Sequence, residues 1–254
     1  MSSGLELVDV GVSYGSTRVI EAVSLQVAPG RIVGLVGESG SGKTTLARAI
    51  IGAAPLAAGS IRLDGVELRS GHRSREERRA IQLVQQDPFA SLNPALTIGS
   101  VLDELLRVHG LGGDRAGRRA RSAELLSLVG LEAEALDRYP RQFSGGQRQR
   151  IAIARALAVE PAVLVADEPT SSLDVSVQKV VLELLSGLSV QMNLATLFIS
   201  HDLSVIHAVC DEVAVLQGGR LAEVAPSGRF FTHPEHPYSR ALLEAVPRIV
   251  KEPK

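Results

Sequence analysis

Gly37-Glu38-Ser39-Gly40-Ser41-Gly42-Lys43-Thr44-Thr45 is the stretch of this sequence that decides the fold. The apolar run at residues 32–36 before it is typical of a buried strand, and residues 46–51 after it are good helix formers. A strand, a glycine-rich loop and a helix in this order are the setting that a phosphate-binding loop requires. We therefore expect a nucleotide's phosphates to bind here; the alternative is a glycine-rich turn with a solvated lysine.

The residue types in this loop suit phosphate chemistry. Gly37, Gly40 and Gly42 allow positive φ angles and bring backbone N–H groups close to phosphate oxygens, at the positive end of the helix dipole. Lys43 adds a mobile positive charge for the outer phosphates. The hydroxyl of Thr44 is a ligand for Mg²⁺, a hard cation that shares its oxygen ligands between protein and phosphate.

Composition indicates a globular chain without a nucleic-acid surface. The 254 residues, 45% of them hydrophobic, are enough for one large domain or two small ones with a sizeable core. Lys and Arg number 27 against 28 Asp and Glu, so the net charge of -1 does not favour a phosphate backbone as partner. Aromatic residues make up 3% and Trp is absent, which leaves little for stacking on single-stranded bases.

The single cysteine and the apolar runs indicate the compartment. Cys210 has no partner in this chain and follows an apolar, helix-like segment, so we expect a buried and inert thiol and no disulfide. This fits a reducing compartment. The first residues resemble no secretory signal, and no stretch approaches the ~20 apolar residues of a membrane span. These features predict a soluble chain in the cytosol.

The segments before residue 90 predict strands around the loop. Residues 5–29 alternate apolar and polar, which predicts an opening antiparallel sheet. Within it Tyr14 is either a surface tyrosine or a platform on which a base stacks. Residues 58–66 predict two short strands around an Asp64-Gly65 turn, residues 69–79 a solvated charged helix, and residues 81–85 a strand that ends before Gln86.

From residue 95 to residue 157 the apolar residues recur at helical spacing, which predicts a helical subdomain. Its basic residues at 115, 118, 119 and 121 predict an exposed amphipathic face. Ser144 is the expected N-cap of a helix over residues 148–157. Beyond it, strands at 162–166, 195–199 and 213–216 alternate with helices, which predicts a parallel α/β sheet.

Polar, chemically reactive residues directly follow two of these predicted strands in the sequence. Ligands bind at the carboxyl ends of strands in open α/β sheets. Asp167 follows the first strand and is placed to hold Mg²⁺, while Glu168 is placed to polarise a water for attack on the γ-phosphate. His201 follows the second strand and is a candidate γ-phosphate sensor; alone it would be a strand-end or capping residue.

With these residues in place, the chain resembles ABC-type ATPases over essentially its whole length. Their motifs occur in the family's order: an A-loop at Tyr14, Walker A at 37–44, a Q-loop at Gln86, the signature Ser144-Gly145-Gly146-Gln147, Walker B at 163–167, Glu168, a D-loop at 171–174, and a switch histidine at His201. Phe143 replaces the usual Leu before the signature and Ser172 the usual small D-loop Ala, and neither change removes a functional group.

The resemblance implies a set of roles and a fold. ATP would contact Tyr14, Gly37, Glu38, Ser39, Gly40, Ser41, Gly42, Lys43, Thr44, Thr45, Ser144, Gly145, Gly146, Gln147 and Asp174; Mg²⁺ would contact Thr44, Gln86 and Asp167; catalysis would use Glu168, His201 and Gln86. The implied fold is an α/β P-loop NTPase with a RecA-like parallel-sheet core and an N-terminal antiparallel β subdomain, over about 1–90 and 158–225. A helical subdomain is inserted at about 91–157 and a docking tail follows at about 226–254.

The resemblance narrows to the ATPases of oligopeptide and dipeptide importers. Residues 87–94 (DPFASLNP), 143–151 (FSGGQRQRI), 173–178 (LDVSVQ) and above all the tail at 236–243 (HPYSRALL) are similar to theirs. Some relatives hold an iron–sulfur cluster in a cysteine-rich C-terminal insertion, which Cys210 alone does not permit. Alternatives are the ATPase of a nickel importer or phosphonate-processing system in the same branch, or a soluble ABC ATPase of nucleic-acid repair or translation.

The family also implies partners. A second ATPase subunit, identical or a sister chain, would form a head-to-tail dimer with ATP at the interface. Two transmembrane permease subunits would dock near residues 86–94, and an extracytoplasmic solute-binding protein would act through them, without nucleic acid. The chain would then lie at the cytoplasmic face of the cell membrane.

Overall fold

The computed structural model describes residues 4–71, 73–88 and 92–245. Its strands are β1 Leu5–Tyr14, β2 Thr17–Val27, β3 Ile32–Val36, β4 Ala58–Leu63, β5 Val66–Glu67, β6 Ile81–Val84, β7 Val163–Asp167, β8 Ala195–Ile199, β9 Glu212–Gln217 and β10 Arg220–Pro226. Its helices are α1 Lys43–Ile50, α2 Arg75–Ala80, α3 Ile98–Val108, α4 Arg115–Leu128, α5 Gly145–Leu157, α6 Val175–Gln191, α7 Leu203–Val209, α8 Ser227–Thr232 and α9 Pro237–Glu244, with 3₁₀ turns at Ala133–Asp137 and Pro140–Gln142.

The larger sheet has six strands in the order β10-β9-β3-β8-β7-β6. Strands β9, β3, β8, β7 and β6 are parallel, and β10 pairs antiparallel with β9 at the edge. The predicted parallel sheet is therefore confirmed. Because β3 lies between two strands that come much later in the chain, the loop that follows β3 opens at a crevice where ligands bind in sheets of this kind.

The central strands are apolar throughout because both faces of the sheet are covered. Every residue of β3 and of β8 is buried. Val33 and Leu35 pack into one core with α1 and the antiparallel sheet, whereas Ile32 and Val36 pack into the other core with α5, α6 and α7. This alternation of neighbouring side chains between two cores is the pattern of a strand enclosed on both sides.

The smaller sheet is antiparallel, in the order β2-β1-β4-β5. It contains the predicted opening strands and the predicted strand pair at 58–66. Asp64 and Gly65 both have positive φ angles, 49° and 79°, as a tight turn between two strands requires. One face of this sheet packs on α1, so it forms the wall behind the phosphate-binding loop.

The helical segment shares its core with the larger sheet. Ile98, Leu102 and Leu125 belong to the same buried cluster as Leu164 and Phe198 of β7 and β8. Three of the four arginines on its predicted basic face form ion pairs: Arg118 with Asp103, Arg119 with Asp137, and Arg121 with Glu124 and Glu160. The exposed amphipathic face is thus largely neutralised by its own acidic neighbours.

Cys210 is buried, as predicted, and lies beside Gly34 of β3, where an added Cβ would come within 2.9 Å of its Sγ. Burial, with a smaller contribution from Asp211, raises the pKa of its thiol. The thiol therefore stays protonated and unreactive. Over the ranges that the structure describes, no helix is long and apolar enough to cross a membrane.

The prediction of one solvated helix over residues 69–79 is wrong at Arg73. The helix α2 is short and exposed, but Arg73 precedes it and is buried. Its guanidinium donates hydrogen bonds to the carbonyl oxygens of Ile50 and Ala49, at the last turn of α1. A positive charge near the C-terminus of a helix also interacts favourably with the helix dipole. Arg73 therefore fixes the far end of the helix that carries the loop.

Arg73→Ala should lower the free energy of unfolding by about 1–3 kcal/mol, because buried carbonyl groups at the end of α1 lose their donors. Urea denaturation measures this change. Arg69→Ala, which truncates an exposed arginine of the same segment, is the matched control and should stay close to wild type. Equal stability of the two variants would contradict the role given to Arg73.

Candidate nucleotide-binding site

The loop between β3 and α1 requires glycine at its two ends. Gly37 has a φ of 154°, and a Cβ added to it would lie 2.1 Å from the carbonyl oxygen of Leu216 in β9. Gly42, the N-cap of α1, has a φ of 108°, and its Cβ would lie 2.6 Å from Ile20 Cδ1. Neither position accepts a side chain without a shift of its neighbours. The loop is thus held against both sheets.

Lys43 is buried, and its side chain folds back to bind the backbone of the loop that precedes it. Its Nζ donates to the carbonyl oxygens of Gly37 at 2.7 Å and Glu38 at 2.8 Å. Burial lowers the pKa of the ammonium group, and the nearby carboxylates of Glu168 and Asp167 oppose this effect. The lysine therefore supplies a positive charge that is balanced by two acidic side chains at the end of a single strand, β7.

A cavity of about 360 Å³ lies over this loop. Its lining consists of Val19, Ser39, Gly40, Gly42, Lys43, Thr44, Thr45, Glu168 and His201. The structure thus brings the predicted phosphate-binding residues together with the predicted base and the predicted sensor histidine. This meeting follows from the topology, because β3, β8 and β7 are adjacent and end at the same edge of the sheet.

Glu168 and His201 are in direct contact. His201 Nδ1 lies 2.9 Å from Glu168 Oε1. Glu168 has a left-handed backbone with a φ of 49°, and its N–H donates to the carbonyl oxygen of Ile199 at 2.9 Å. A non-glycine residue in this conformation is strained, and such strain concentrates at functional sites. The turn after β7 thus aims the carboxylate towards the end of β8.

Asp167 is half-buried and adjoins the hydroxyl of Thr44. Burial and the charge of Glu168 raise the pKa of the Asp167 carboxyl, while a hydrogen bond from Thr44 and the charge of Lys43 act in the opposite direction. A carboxylate and a hydroxyl side by side are the hard oxygen donors that Mg²⁺ prefers. The pair therefore fits the predicted metal site.

The loop also contains a buried hydroxyl group without a hydrogen-bond partner among the described residues. Ser41 Oγ is buried, and it hydrogen bonds to no atom among the residues that the structure describes. A buried hydroxyl without a partner is costly, and a bound oxygen acceptor removes that cost. Ser41 itself does not line the cavity, so the fit to a phosphate ligand rests on Lys43 and on the N-terminus of α1, which do.

Several predicted site residues do not line this cavity: Gly37, Glu38, Ser41 and Asp167, which adjoin residues that do, and Tyr14, Gln86, residues 144–147 and Asp174. Tyr14 lies at the end of β1 with 48% of its surface exposed, and Val19 of the neighbouring strand takes the place at the cavity wall. Gln86 is exposed just beyond β6. The signature residues 144–147 and Asp174 are likewise absent from its lining. Their roles towards ATP stay predictions.

Ser144 is the N-cap of α5, as predicted, within a capping box. Its Oγ accepts from the N–H of Gln147 at 3.3 Å, and Gln147 Oε1 accepts from the N–H of Ser144 at 3.0 Å. The helix starts at residue 145 rather than 148. The exposed Ser144 thus presents the N-terminus of a 13-residue helix at the surface.

Asp174 caps the next helix, α6, and links it to the signature. Its Oδ1 accepts from the N–H of Val177 at 3.0 Å and from the hydroxyl of Ser176 at 2.7 Å. These hydrogen bonds, that of Ser176 first, lower the pKa of the Asp174 carboxyl. Val177 in turn packs on Gly146, where an added Cβ would lie 2.2 Å from Val177 Cγ1. The D-loop and the signature therefore form one packed unit.

Two features of the site escaped the sequence analysis. Val19 lines the cavity, and its only sequence signal is its place on a strand near the loop. Tyr238 of α9 accepts a hydrogen bond from the N–H of Glu38, a contact that joins residues 200 positions apart. The tail motif at 236–243 was recognised, but nothing in its sequence indicated this neighbour.

Comparison with known proteins gives consistent matches. A sequence model of the ABC transporter family matches residues 20–171. A protein of Brucella ovis named as a peptide import ATP-binding protein is similar at 48% identity, over 91% of this chain and 73% of that protein. One of Brucella abortus with the same description is similar at 47% identity, over 91% and 70% respectively.

Solved structures agree with these relatives. The structure of cbiO1 from Clostridium perfringens, part of the ABC transporter complex cbiONQ, is similar with a TM-score of 0.82 and 26% identity, covering 98% of each chain. The ATP-binding cassette MJ0796, a dimer in a post-hydrolysis state with ADP and Pi, is similar with a TM-score of 0.75 and 29% identity. That match covers 88% of this chain and 98% of the other.

Lys43→Ala should weaken the binding of a fluorescent ATP analogue by about 10- to 100-fold, because hydrogen bonds from a charged donor to phosphate are lost. Titration of the purified chain in the presence of Mg²⁺ measures the dissociation constant. Lys179→Ala, which removes an exposed lysine of α6, is the control and should bind like wild type. A dissociation constant for Lys43→Ala within twofold of wild type would exclude Lys43 from the phosphate site.

Proposed function

This chain belongs to the ABC transporter family and is an ATP hydrolase, and from that premise we propose that it energises an importer of peptides. The observation that carries the proposal is the similarity, over 91% of the chain, to proteins named for peptide import. The tail at 236–243, which generic ABC ATPases lack, supports the same branch. The nickel, phosphonate and soluble alternatives gain no support from these relatives.

We propose that ATP lies with its phosphates over the loop at the end of β3. The backbone N–H groups at the start of α1 and the ammonium group of Lys43 are then the donors to the phosphate oxygens. Thr44 and Asp167, with Gln86 from the segment beyond β6, would hold Mg²⁺, which when bound neutralises charge on the phosphates. Tyr14 would lie beside the adenine.

Glu168 is then the general base. Its carboxylate accepts a proton from water as the water oxygen bonds to the γ-phosphorus, and the bond from phosphorus to the bridging oxygen breaks to release ADP and phosphate. His201 contacts Glu168 Oε1 and lines the same cavity, so its ring N–H can either orient the carboxylate or donate to a phosphate oxygen. The general base and the histidine beside it thus come from the ends of adjacent strands, β7 and β8.

The signature acts on a second subunit in this proposal. Ser144 is exposed at the N-terminus of α5 and does not line the cavity of its own chain. In a head-to-tail dimer the residues 144–147, with Asp174, would close over ATP held by the partner ATPase, whether a second copy or a sister chain. Gly146 packs on Val177 in the first turn of the helix that Asp174 caps, so the two motifs lie next to each other.

We propose that this closure drives transport through other subunits. Two membrane-spanning permeases would dock near Gln86 and the helical segment, and a solute-binding protein would deliver the peptide to them from outside. The chain would be held at the cytoplasmic face of the membrane through these permeases. ATP binding would favour the closed dimer and hydrolysis would reopen it. Transport would thus be driven by a shift of the equilibrium between the closed and the open dimer.

Glu168→Gln should leave ATP binding intact but lower the rate of hydrolysis by about 10²- to 10⁴-fold, the range for loss of a general base. Phosphate release by the purified protein measures this rate. Glu183→Gln, which makes the same change on the exposed face of α6, should retain the wild-type rate. A loss of less than threefold in Glu168→Gln would show that another group is the base.

The importer assignment predicts what accompanies this chain in its own cells. When tagged Glu168→Gln is solubilised from membranes in mild detergent with ATP, two polytopic permeases should co-purify, because blocked hydrolysis holds the closed complex. Lys43→Ala, which should not close, is the control for ATP-dependent recovery. Recovery in the soluble fraction alone, with nucleic acid or metabolic enzymes, would overturn the transport assignment and leave the ATPase intact.

A further inference from the structure

The C-terminal helix α9 touches the phosphate-binding loop. The hydroxyl oxygen of Tyr238, in the first turn of α9, accepts a hydrogen bond of 3.0 Å from the backbone N–H of Glu38. Glu38 is the second residue of the loop, and its carbonyl oxygen already accepts from Lys43 Nζ. The backbone of Glu38 is therefore bonded twice: its N–H group to the tail and its carbonyl oxygen to Lys43.

The position of this contact leaves the cavity open. Ser39, Gly40 and residues 42–45 line the cavity, whereas Glu38 does not. A bond to the N–H of Glu38 thus restrains the loop without competing for the groups that face a phosphate. The Tyr238 hydroxyl therefore contacts the loop at a residue that lies outside the cavity lining.

Tyr238 is itself anchored. Its ring packs against the core cluster that contains α5, α6 and α7, and its backbone N–H donates to His236 Nδ1 at 3.1 Å, which caps α9. The next residue, Ser239, is fully buried. The hydroxyl of Tyr238 thus extends from a half-buried ring that packs on the core, at the capped start of α9.

Glu223 of β10 holds the segment that leads into α9. Its two carboxylate oxygens accept from the backbone N–H groups of Glu235 at 3.0 Å and His236 at 2.9 Å. Burial raises the pKa of the Glu223 carboxyl, but the hydrogen bonds from the backbone N–H groups of Glu235 and His236 outweigh it and keep that pKa below its ordinary value. The charged carboxylate of Glu223 thus binds the tail to β10, the edge strand of the larger sheet.

We propose that Tyr238 is a positioning residue for the phosphate-binding loop, and that the docked tail raises the affinity of this chain for MgATP. Glycine-rich loops lose much conformational freedom when they bind a ligand, so a bond that fixes the loop beforehand reduces that entropic cost. The inference rests on the nucleotide site of the proposed function and adds the tail to its machinery.

Coupling of this kind works in both directions. If the tail favours ATP binding, ATP binding must stabilise the docked tail by the same factor. The state of α9 therefore reports on the nucleotide site, and anything that binds or displaces α9 changes nucleotide affinity. In an assembled transporter this makes the tail a route by which a neighbouring subunit can tune ATP binding.

Tyr238→Phe tests the inference, because it removes the hydroxyl and keeps the ring in the core. The dissociation constant for MgATP should rise by about 2- to 10-fold, the fold-change that corresponds to one neutral hydrogen bond. Tyr139→Phe, the same deletion on an exposed tyrosine of the helical segment, is the matched control and should match wild type. A Tyr238→Phe dissociation constant equal to or below that of the control would overturn the inference.

Hydrogen exchange provides a readout that a general loss of stability would not move. The amide of Glu38 should exchange faster in Tyr238→Phe than in wild type, while amides of the central strands β3 and β8 are unchanged. Added MgATP should slow exchange throughout α9 in wild type and less so in Tyr238→Phe. If wild type binds MgATP and α9 exchange does not respond, the inference fails; if wild type binds no nucleotide, the proposed function itself fails.

Discussion

The account depends on how the glycine-rich loop after β3 holds Lys43. The ammonium group bonds to two carbonyl oxygens of the loop in a buried position, and the carboxylates of Asp167 and Glu168 lie close enough to stabilise its charge. A buried charge is tolerated only when it is paired and hydrogen bonded. The loop, the lysine and the two acids at the end of β7 are therefore one electrostatic unit.

The parallel sheet is what makes this unit possible. Strands β3, β8 and β7 are neighbours, so Lys43 meets Glu168 and His201 at one edge of the sheet although it lies more than a hundred positions before them in the chain. Each strand is apolar on both faces because two cores enclose it. Packing thus sets the positions of Lys43, Glu168 and His201, while Arg73 secures the other end of α1 and the tail secures the loop.

Local patterns in the sequence predicted most of the fold. The strand at 195–199, the Asp64-Gly65 turn and the Ser144 cap appear as predicted because alternation, turn residues and caps act over a few positions. Arg73 was predicted to be solvated, because its charge says nothing of the carbonyl groups of α1 that it meets in the fold. The Tyr238 contact and the left-handed turn at Glu168 also depend on distant neighbours. The glycine-rich loop between a strand and a helix was predictable from the motif, whereas the contacts that support it from distant parts of the chain were not.

Peptide transport coupled to hydrolysis by this chain is the central claim, and uptake by the reconstituted complex tests it most directly. The complex purified from its own cells would be placed in liposomes with ATP inside, and labelled peptides with their binding protein outside. The account predicts uptake that requires ATP and is lost when Glu168 is changed to Gln. An ATPase rate that peptides leave unchanged, with no label retained in the vesicles, would contradict it.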